Sequence, residues 1–324
     1  MRFAFAALLL LSLPGRAQEP PAWFASSFLE LREDVADAAR HGKRLMLYFG
    51  QDGCPYCKQL LEVNLRQRPI VEKMRRRFVV LEINIWGDRE VTGLDGRRMS
   101  EKQFAAAMKV QFTPTLLFFD EKGGVALRLN GYYPPHRFEA ALDYVAERME
   151  RKTPFAQYMK TAVKEAPSGA LHDEPFFALT RDLRRRPGGK PLALIFETRD
   201  CAACDEMHAT GFKRPEVLEE AGKFDVVRLS ASDTNEITAP GGAKTTPERL
   251  WKSLGIAYVP AIVFFDTRGR DAFRIEAYVR AFHLAGAFDY VSSGAYLREP
   301  SFQRFLQARS ERLRAGGSNV DLWD

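Results

Sequence analysis

The chain holds four cysteines in 324 residues, and they fall into two pairs of identical spacing, Cys54-Pro55-Tyr56-Cys57 and Cys201-Ala202-Ala203-Cys204. Two thiols separated by two residues can close a small ring, and no cysteine remains for a structural bridge elsewhere. Thiol–disulfide exchange is the chemistry that suits this spacing. The thiolate is the attacking species, and an ordinary cysteine, with a pKa of about 8.5, is little ionised at neutral pH. At the start of a helix, unpaired backbone N–H groups face the sulfur and stabilise its negative charge. Cys54 and Cys201 are therefore expected as the nucleophiles. Cys57 and Cys204 lie almost one helical turn further on; they are expected to be less exposed and to attack the mixed disulfide, releasing the product.

Other uses of the cysteines fit less well. Two Cys-x-x-Cys units can build a Cys₄ zinc centre, but these lie far apart in sequence, each within its own complete strand pattern, so no metal is expected. An inert disulfide closing so short a loop removes little chain entropy and hardly stabilises a domain. The surroundings of the pairs differ. Asp200 and Asp205 flank the second, and acidic neighbours disfavour a thiolate. Cys201 is thus expected to have a higher pKa than Cys54, and the second pair to be the more reducing. His208, four residues after Cys204 on the same helix face, could tune that site, although it reads better as an exposed surface histidine. Glu82 is a weaker candidate for proton handling.

The pairs sit in a longer repeat. Lys43 to Phe49 precedes the first pair and Lys190 to Phe196 the second, at an offset of 147 (190 − 43). Downstream, Thr113-Pro114-Thr115-Leu116-Leu117-Phe118-Phe119-Asp120 is matched by Val259-Pro260-Ala261-Ile262-Val263-Phe264-Phe265-Asp266, and Asp143-Tyr144-Val145 by Asp289-Tyr290-Val291, at an offset of 146 (266 − 120). A period this long is a domain duplication. Length agrees, on a prior of roughly 150 residues per domain.

The N-terminus reads as a secretory signal peptide over residues 1–17. Met1-Arg2 is a short basic start, Phe3 to Leu13 an apolar run too short to span a bilayer, and Gly15-Arg16-Ala17 a small-residue cleavage site, with Gln18 the expected mature start. No later stretch has the length of a transmembrane helix, so a soluble exported protein, periplasmic in a bacterium with two membranes, is expected. The 48 basic and 42 acidic side chains become 46 and 42 without Arg2 and Arg16, a net charge of +4. The basic runs Lys73 to Arg77 and Arg184 to Arg186 read as solvated helix faces, and no nucleic-acid partner is expected.

Hydrophobic patterning orders the first half as helix, strand, helix, strand, helix, strand, strand, helix. Glu30 to Arg40 reads as a helix ending at His41-Gly42. Leu45 to Phe49 is the continuous apolar run of a central strand. The first cysteine pair opens a helix through Leu60-Leu61, and Phe78 to Asn84 is the next strand. Trp86 to Arg98 reads as a loop, and Ser100 with Gln103 as a capping box. Pro114 precedes the strands Leu116 to Phe119 and Ala126 to Leu129, and Arg137 to Met149 is the closing helix. The second half repeats this with strands Leu192 to Phe196, Val226 to Leu229, Ile262 to Phe265 and Phe273 to Tyr278, and with Thr246-Pro247 opening a helix. Between the halves, Phe155 to Pro187 is expected to supply a connecting helix and the entry helix of the second domain. Residues 315–324 read as frayed.

A strand, Cys-x-x-Cys at a helix start and a proline opening a later strand resemble the thioredoxin pattern in both halves. The expected fold is α/β: two tandem thioredoxin-like domains from internal duplication, each a central mixed β-sheet flanked by helices. The expected boundaries are 28–150 and 175–305, with a linker helix over 151–174 and a C-terminal tail over 306–324. The first half, through Gly53 to Cys57, Ile83 to Val91, Gln111 to Thr115 and Gly131-Tyr132-Tyr133, resembles the exported thioredoxins linked to bacterial sulfur oxidation, the SoxW type. The second resembles only the general superfamily.

The resemblance implies a cis peptide before Pro114 and before Pro260. It implies substrate contacts at Thr113-Pro114 and Val259-Pro260, and at Pro55 and Tyr56 between the first cysteines. It implies a protein thiol–disulfide oxidoreductase needing no cofactor beyond its redox-active disulfides. Disulfide-containing exported proteins are the implied substrates, and a membrane thiol-transfer protein of the DsbD or CcdA kind is the implied electron donor, without stable insertion of this chain into the membrane. Reduction is the expected direction; an oxidase or isomerase, and a tandem polypeptide-binding protein with one redox-inactive domain, are the alternatives. The buried aspartate that thioredoxins carry six residues before the first cysteine is replaced here by Tyr48 and Ile195, so proton handling must use another group or water.

Overall fold

The computed structural model describes residues 20–256, 258–276, 279–318 and 320. The expected signal peptide, residues 1–17, lies outside the described residues.

The first half begins with α1 (Leu31–Arg40), which buries Leu31, Val35 and Ala38 at helical spacing. It leads into β1 (Arg44–Gly50), buried along its whole length as a central strand must be. The first cysteine pair opens α2 (Pro55–Gln59), which runs into one π-helical turn, Leu60–Asn64. After α3 (Arg68–Arg77) come β2 (Phe78–Asn84), a small hairpin of β3 (Glu90–Thr92) and β4 (Arg98–Ser100), and α4 (Glu101–Ala107). Helix α4 starts on the expected capping box, with the Ser100 side chain accepting from Gln103 N–H and the Gln103 side chain accepting from Ser100 N–H. Strands β5 (Thr115–Phe119) and β6 (Val125–Asn130) and helices α5 (Pro135–Ala146) and α6 (Phe155–Ala162) complete the half.

The second half repeats this order with β7 (Leu192–Glu197), α7 (Ala202–Ala209), α8 (Pro215–Ala221), β8 (Asp225–Ser230), β9 (Ile237–Thr238), β10 (Lys244–Thr245), α9 (Pro247–Ser253), β11 (Ala261–Phe265), β12 (Asp271–Ile275), α10 (Ala281–Ser292) and α11 (Phe302–Ala315). The sheets share one topology: β2-β1-β5-β6 in the first half and β8-β7-β11-β12 in the second. In each, the strand before the cysteines pairs parallel with one neighbour and antiparallel with the other. Each sheet is covered on both faces by apolar residues, which puts the cysteine helix at the end of a rigid central strand.

Four expectations are corrected. The segment Trp86 to Arg98, read as a loop, contains β3 and the first residue of β4, the two strands of a hairpin. The second half has no entry helix among its described residues. From Phe177 to Asp182 the chain is extended instead, and Ala178 N–H donates to Val226 O, Leu183 N–H to Thr238 O and Thr238 N–H to Arg181 O. Those contacts satisfy the backbone groups that a helix would otherwise pair internally. Arg184 to Arg186 therefore lies on no helix, and Arg185 reaches across to Asp225 at 2.6 Å. Finally, residues 306–315 of the expected tail belong to α11, because Phe302, Phe305, Leu306 and Arg309 form a buried stripe at helical spacing. Tyr278, expected at a strand end, lies outside the described residues.

The halves exchange residues at their interface. Phe112 belongs to the hydrophobic core of the second half, and Tyr258, its repeat equivalent, packs against the core of the first. Phe112 meets Phe302 at the start of α11, and Tyr258 meets Phe155 at the start of α6, so the contacts recur with the halves exchanged. The two halves thus associate like the subunits of a two-fold dimer joined in one chain.

Candidate active sites

Both cysteine pairs are closed as disulfides, with Cα atoms 5.2 Å apart in each. Cys54 is the N-cap of α2 and Cys201 the N-cap of α7; their sulfurs accept the backbone N–H of Cys57 and Cys204, each at 3.0 Å. This places the first sulfur of each pair at the positive end of a helix, where a thiolate gains most. All four cysteines are buried: Cys54 and Cys201 are 4% and 6% exposed, Cys57 and Cys204 1% and 2%.

The peptides Thr113-Pro114 and Val259-Pro260 are both cis. Cys54 Sγ stands 3.4 Å from the Thr113 carbonyl oxygen. Val259 packs against Cys201, Ala203 and Cys204. Each cis peptide is thereby brought beside its cysteine pair by the strand that follows it, β5 or β11.

The first site is assembled from both halves. Gln51, immediately after β1, accepts from Trp86 Nε1–H at 2.6 Å and donates through Nε2 to Thr113 Oγ1 at 3.0 Å and to Gln303 Oε1 of α11 at 2.7 Å. Gln303 in turn donates to the Gln111 carbonyl at 2.9 Å, and the Arg304 guanidinium lies over the Trp86 ring. Tyr56, expected as a substrate contact, is buried: its hydroxyl accepts from Arg280 N–H at 3.1 Å and its ring meets His283 edge-on, with centroids 4.8 Å apart. His283 lines the same cavity as Cys54. Burial pushes its pKa down to about 4, and its Nδ1 has no hydrogen-bond partner among the described residues.

The second site carries a buried polar cluster. His208 is 2% exposed, not the surface residue expected from sequence. Its Nδ1 lies 2.9 Å from Glu174 and its Nε2 2.7 Å from Glu197, the last residue of β7. Burial disfavours its charged form, but Glu197 and Glu174 outweigh that and raise its pKa. The acidic neighbours of Cys201 are also engaged. Asp200 pairs with Lys160 of α6 at 2.7 Å, and Asp205 accepts from Ser168 N–H at 2.7 Å and approaches His172 at 2.6 Å. These partners offset the negative field on which the expected difference between Cys201 and Cys54 rested. Glu82, on β2, is half-buried, and desolvation raises its pKa; it lines neither cysteine cavity.

Sequence reasoning missed Gln51, Trp86, His283 and Gln303, because their relation to Cys54 exists only once α10 and α11 dock on the first half. The one local sign was the position of Gln51, one residue beyond an apolar strand that ends next to the cysteines.

Fold and site together define a thiol–disulfide oxidoreductase of thioredoxin type, built twice in one chain. The thioredoxin-like domain family model matches residues 31–146 and again 185–292, so the chain belongs to the thioredoxin-like family. No curated protein matches it. Solved structures similar to it include a thioredoxin-fold protein from Helicobacter pylori, 24% identical, covering 42% of this chain and 91% of its own with a TM-score of 0.33. A thioredoxin from Thermus thermophilus is 28% identical, covering 36% of this chain and 83% of its own with a TM-score of 0.29. The periplasmic thioredoxin SoxS from Paracoccus pantotrophus is 21% identical, covering 33% and 99% with a TM-score of 0.23.

Proposed function

We propose that this protein is an exported thiol–disulfide reductase that acts on disulfides or cysteine-bound sulfur adducts of other exported proteins. One observation carries the reading: in both halves a Cys-x-x-Cys disulfide caps a helix beside a cis-proline peptide, with the second cysteine the more deeply buried of the two. The helix-capping sulfur is the nucleophile and the more deeply buried one resolves the mixed disulfide. The backbone of Val259, partly exposed next to its proline, would pair with an extended substrate segment, and Thr113 would contact the substrate of the first site.

Export rests on the sequence of residues 1–17. Among the described residues, no helix is long and apolar enough to cross a membrane. The reducing direction rests on the SoxW-type resemblance of the first half, because a cysteine-bound sulfur carrier outside the cytosol needs reducing equivalents. A membrane dithiol carrier of the DsbD or CcdA kind would supply the electrons.

The test is the reduction potential of each pair, measured in glutathione buffers on the Cys201→Ser/Cys204→Ser and Cys54→Ser/Cys57→Ser variants. Values near about −270 mV fit a reductase fed from the membrane; values near about −120 mV mean an oxidant that makes disulfides, and the direction proposed here is wrong.

A further inference from the structure

The two cysteine sites are walled by equivalent elements of unlike chemistry. Helix α6 of the first half stands over Cys201, and its repeat equivalent α11 of the second stands over Cys54. Toward the Cys201 cleft α6 and the residue that ends it present Ala156, Met159 and Val163, with Gln157, Lys160 and Thr161 beside them. At the corresponding positions toward the Cys54 cavity α11 presents Gln303, Leu306 and Ser310, followed by Glu311 and Arg314. Tyr132, Phe155 and Trp251 add apolar area at Cys201, where Arg137, Glu206 and Lys252 also line the cleft, whereas Asp52, His283 and Gln307 stand beside Tyr56, Trp86 and Phe282 at Cys54. The spaces differ as well, about 1100 Å³ at Cys201 against about 410 Å³ at Cys54. Val259 is partly exposed in its cleft, while Thr113 is only 5% exposed, held by Gln51, which is itself bonded to Gln303.

We infer that the duplicated sites take different substrates: Cys201 an extended polypeptide with an apolar side chain beside its cysteine, Cys54 a small polar disulfide. This rests on the thiol–disulfide exchange proposed above. A space of the smaller size is that of a small-molecule site, and the larger exceeds the usual range of one. Ala156, Met159 and Val163 reward a substrate that brings apolar area out of water, and Gln303 and Ser310 at the equivalent positions of the narrower cavity do not. At Cys201 the thiolate attacks one sulfur of the polypeptide disulfide and expels the other as a thiolate. Cys204 then attacks the Cys201 sulfur, the polypeptide leaves as a dithiol after taking up two protons, and the pair is left as the disulfide, two electrons having passed to the substrate. A dithiol donor restores the pair.

The experiment uses the full chain with one site active at a time, Cys54→Ser/Cys57→Ser or Cys201→Ser/Cys204→Ser, and dithiothreitol as reductant. The ratio of kcat/KM for insulin disulfides to kcat/KM for glutathione disulfide is expected to be at least about tenfold higher at the second site. Met159→Asp in the second-site protein should lower that ratio by about tenfold and Met159→Leu should restore it. Melting temperatures of all variants separate this from a folding defect. Equal ratios at the two sites, or a ratio indifferent to Met159→Asp in a protein that still melts normally, overturn the division of substrates while leaving the exchange chemistry standing. No turnover of either disulfide at either site overturns both.

Discussion

The rings of Phe112 and Phe302 lie 5.5 Å apart, although one precedes the cis-proline of the first half and the other opens the last helix of the second. Tyr258 and Phe155 repeat the relation with the halves exchanged, at 6.4 Å. The segment that approaches each cysteine pair is therefore also the segment that locks the two halves together. A change at the interface should be felt at the sites.

Phe112→Ala removes an aromatic side chain from the core of the half to which it does not belong. The expected loss is about 3–5 kcal/mol. Calorimetry should show a lower Tm and the splitting of one cooperative transition into two, since the coupling between halves is what the ring supplies. A single transition at an unchanged Tm would refute the interlocked interface.

Gln51→Ala should cost about 1–3 kcal/mol, because it leaves Trp86 Nε1 and Gln303 without their partner and frees Thr113 Oγ1. Denaturant melts measure the stability, and the rate at which dithiothreitol reduces the first pair in a Cys201→Ser/Cys204→Ser background should rise as Gln303 lets go of the site.

His283 and His208 predict opposite pH dependences. A buried neutral histidine binds its proton less readily folded than unfolded, so the stability His283 contributes is present above its ordinary pKa of about 6.5 and is lost as pH falls toward about 4. The full effect is about 3 kcal/mol, and His283→Phe should flatten the acid limb of a stability–pH curve.

His208 has a raised pKa, so its contribution is complete below about pH 6.5 and is lost as pH rises through the folded value. His208→Gln should remove that alkaline loss while lowering stability at pH 6 by roughly 1–3 kcal/mol, since Glu174 and Glu197 lose a charged partner. A wild-type curve flat above pH 6.5 would contradict the paired, charged state of this imidazole.

Cys204→Ser should trap a mixed disulfide between Cys201 and substrate, visible by mass spectrometry, and reduce turnover at that site by roughly a thousandfold or more. Trapping in Cys204→Ser but not in Cys201→Ser would fix the order of attack.

The cysteine pairs, the internal repeat, the central strands, the capping box at Ser100 and the prolines opening β5 and β11 were legible in the chain, because each depends on neighbours within a few residues or on a pattern that occurs twice. The roles of Tyr56, Gln51, Trp86, His283 and Gln303 were not, and neither was the burial of His208 between Glu174 and Glu197. Those depend on residues brought together from distant parts of the chain by tertiary packing, and no local spacing encodes such contacts. The extended segment before β7 and the helix after residue 301 were misread for the same reason: backbone partners on β8 and β9, and an apolar seat for Phe302 and Leu306 in the second core, decided their conformation. Local sequence determined which groups react; tertiary packing decided what surrounds each sulfur, because solvation, charge and access at a thiol are set by whatever the rest of the chain folds against it.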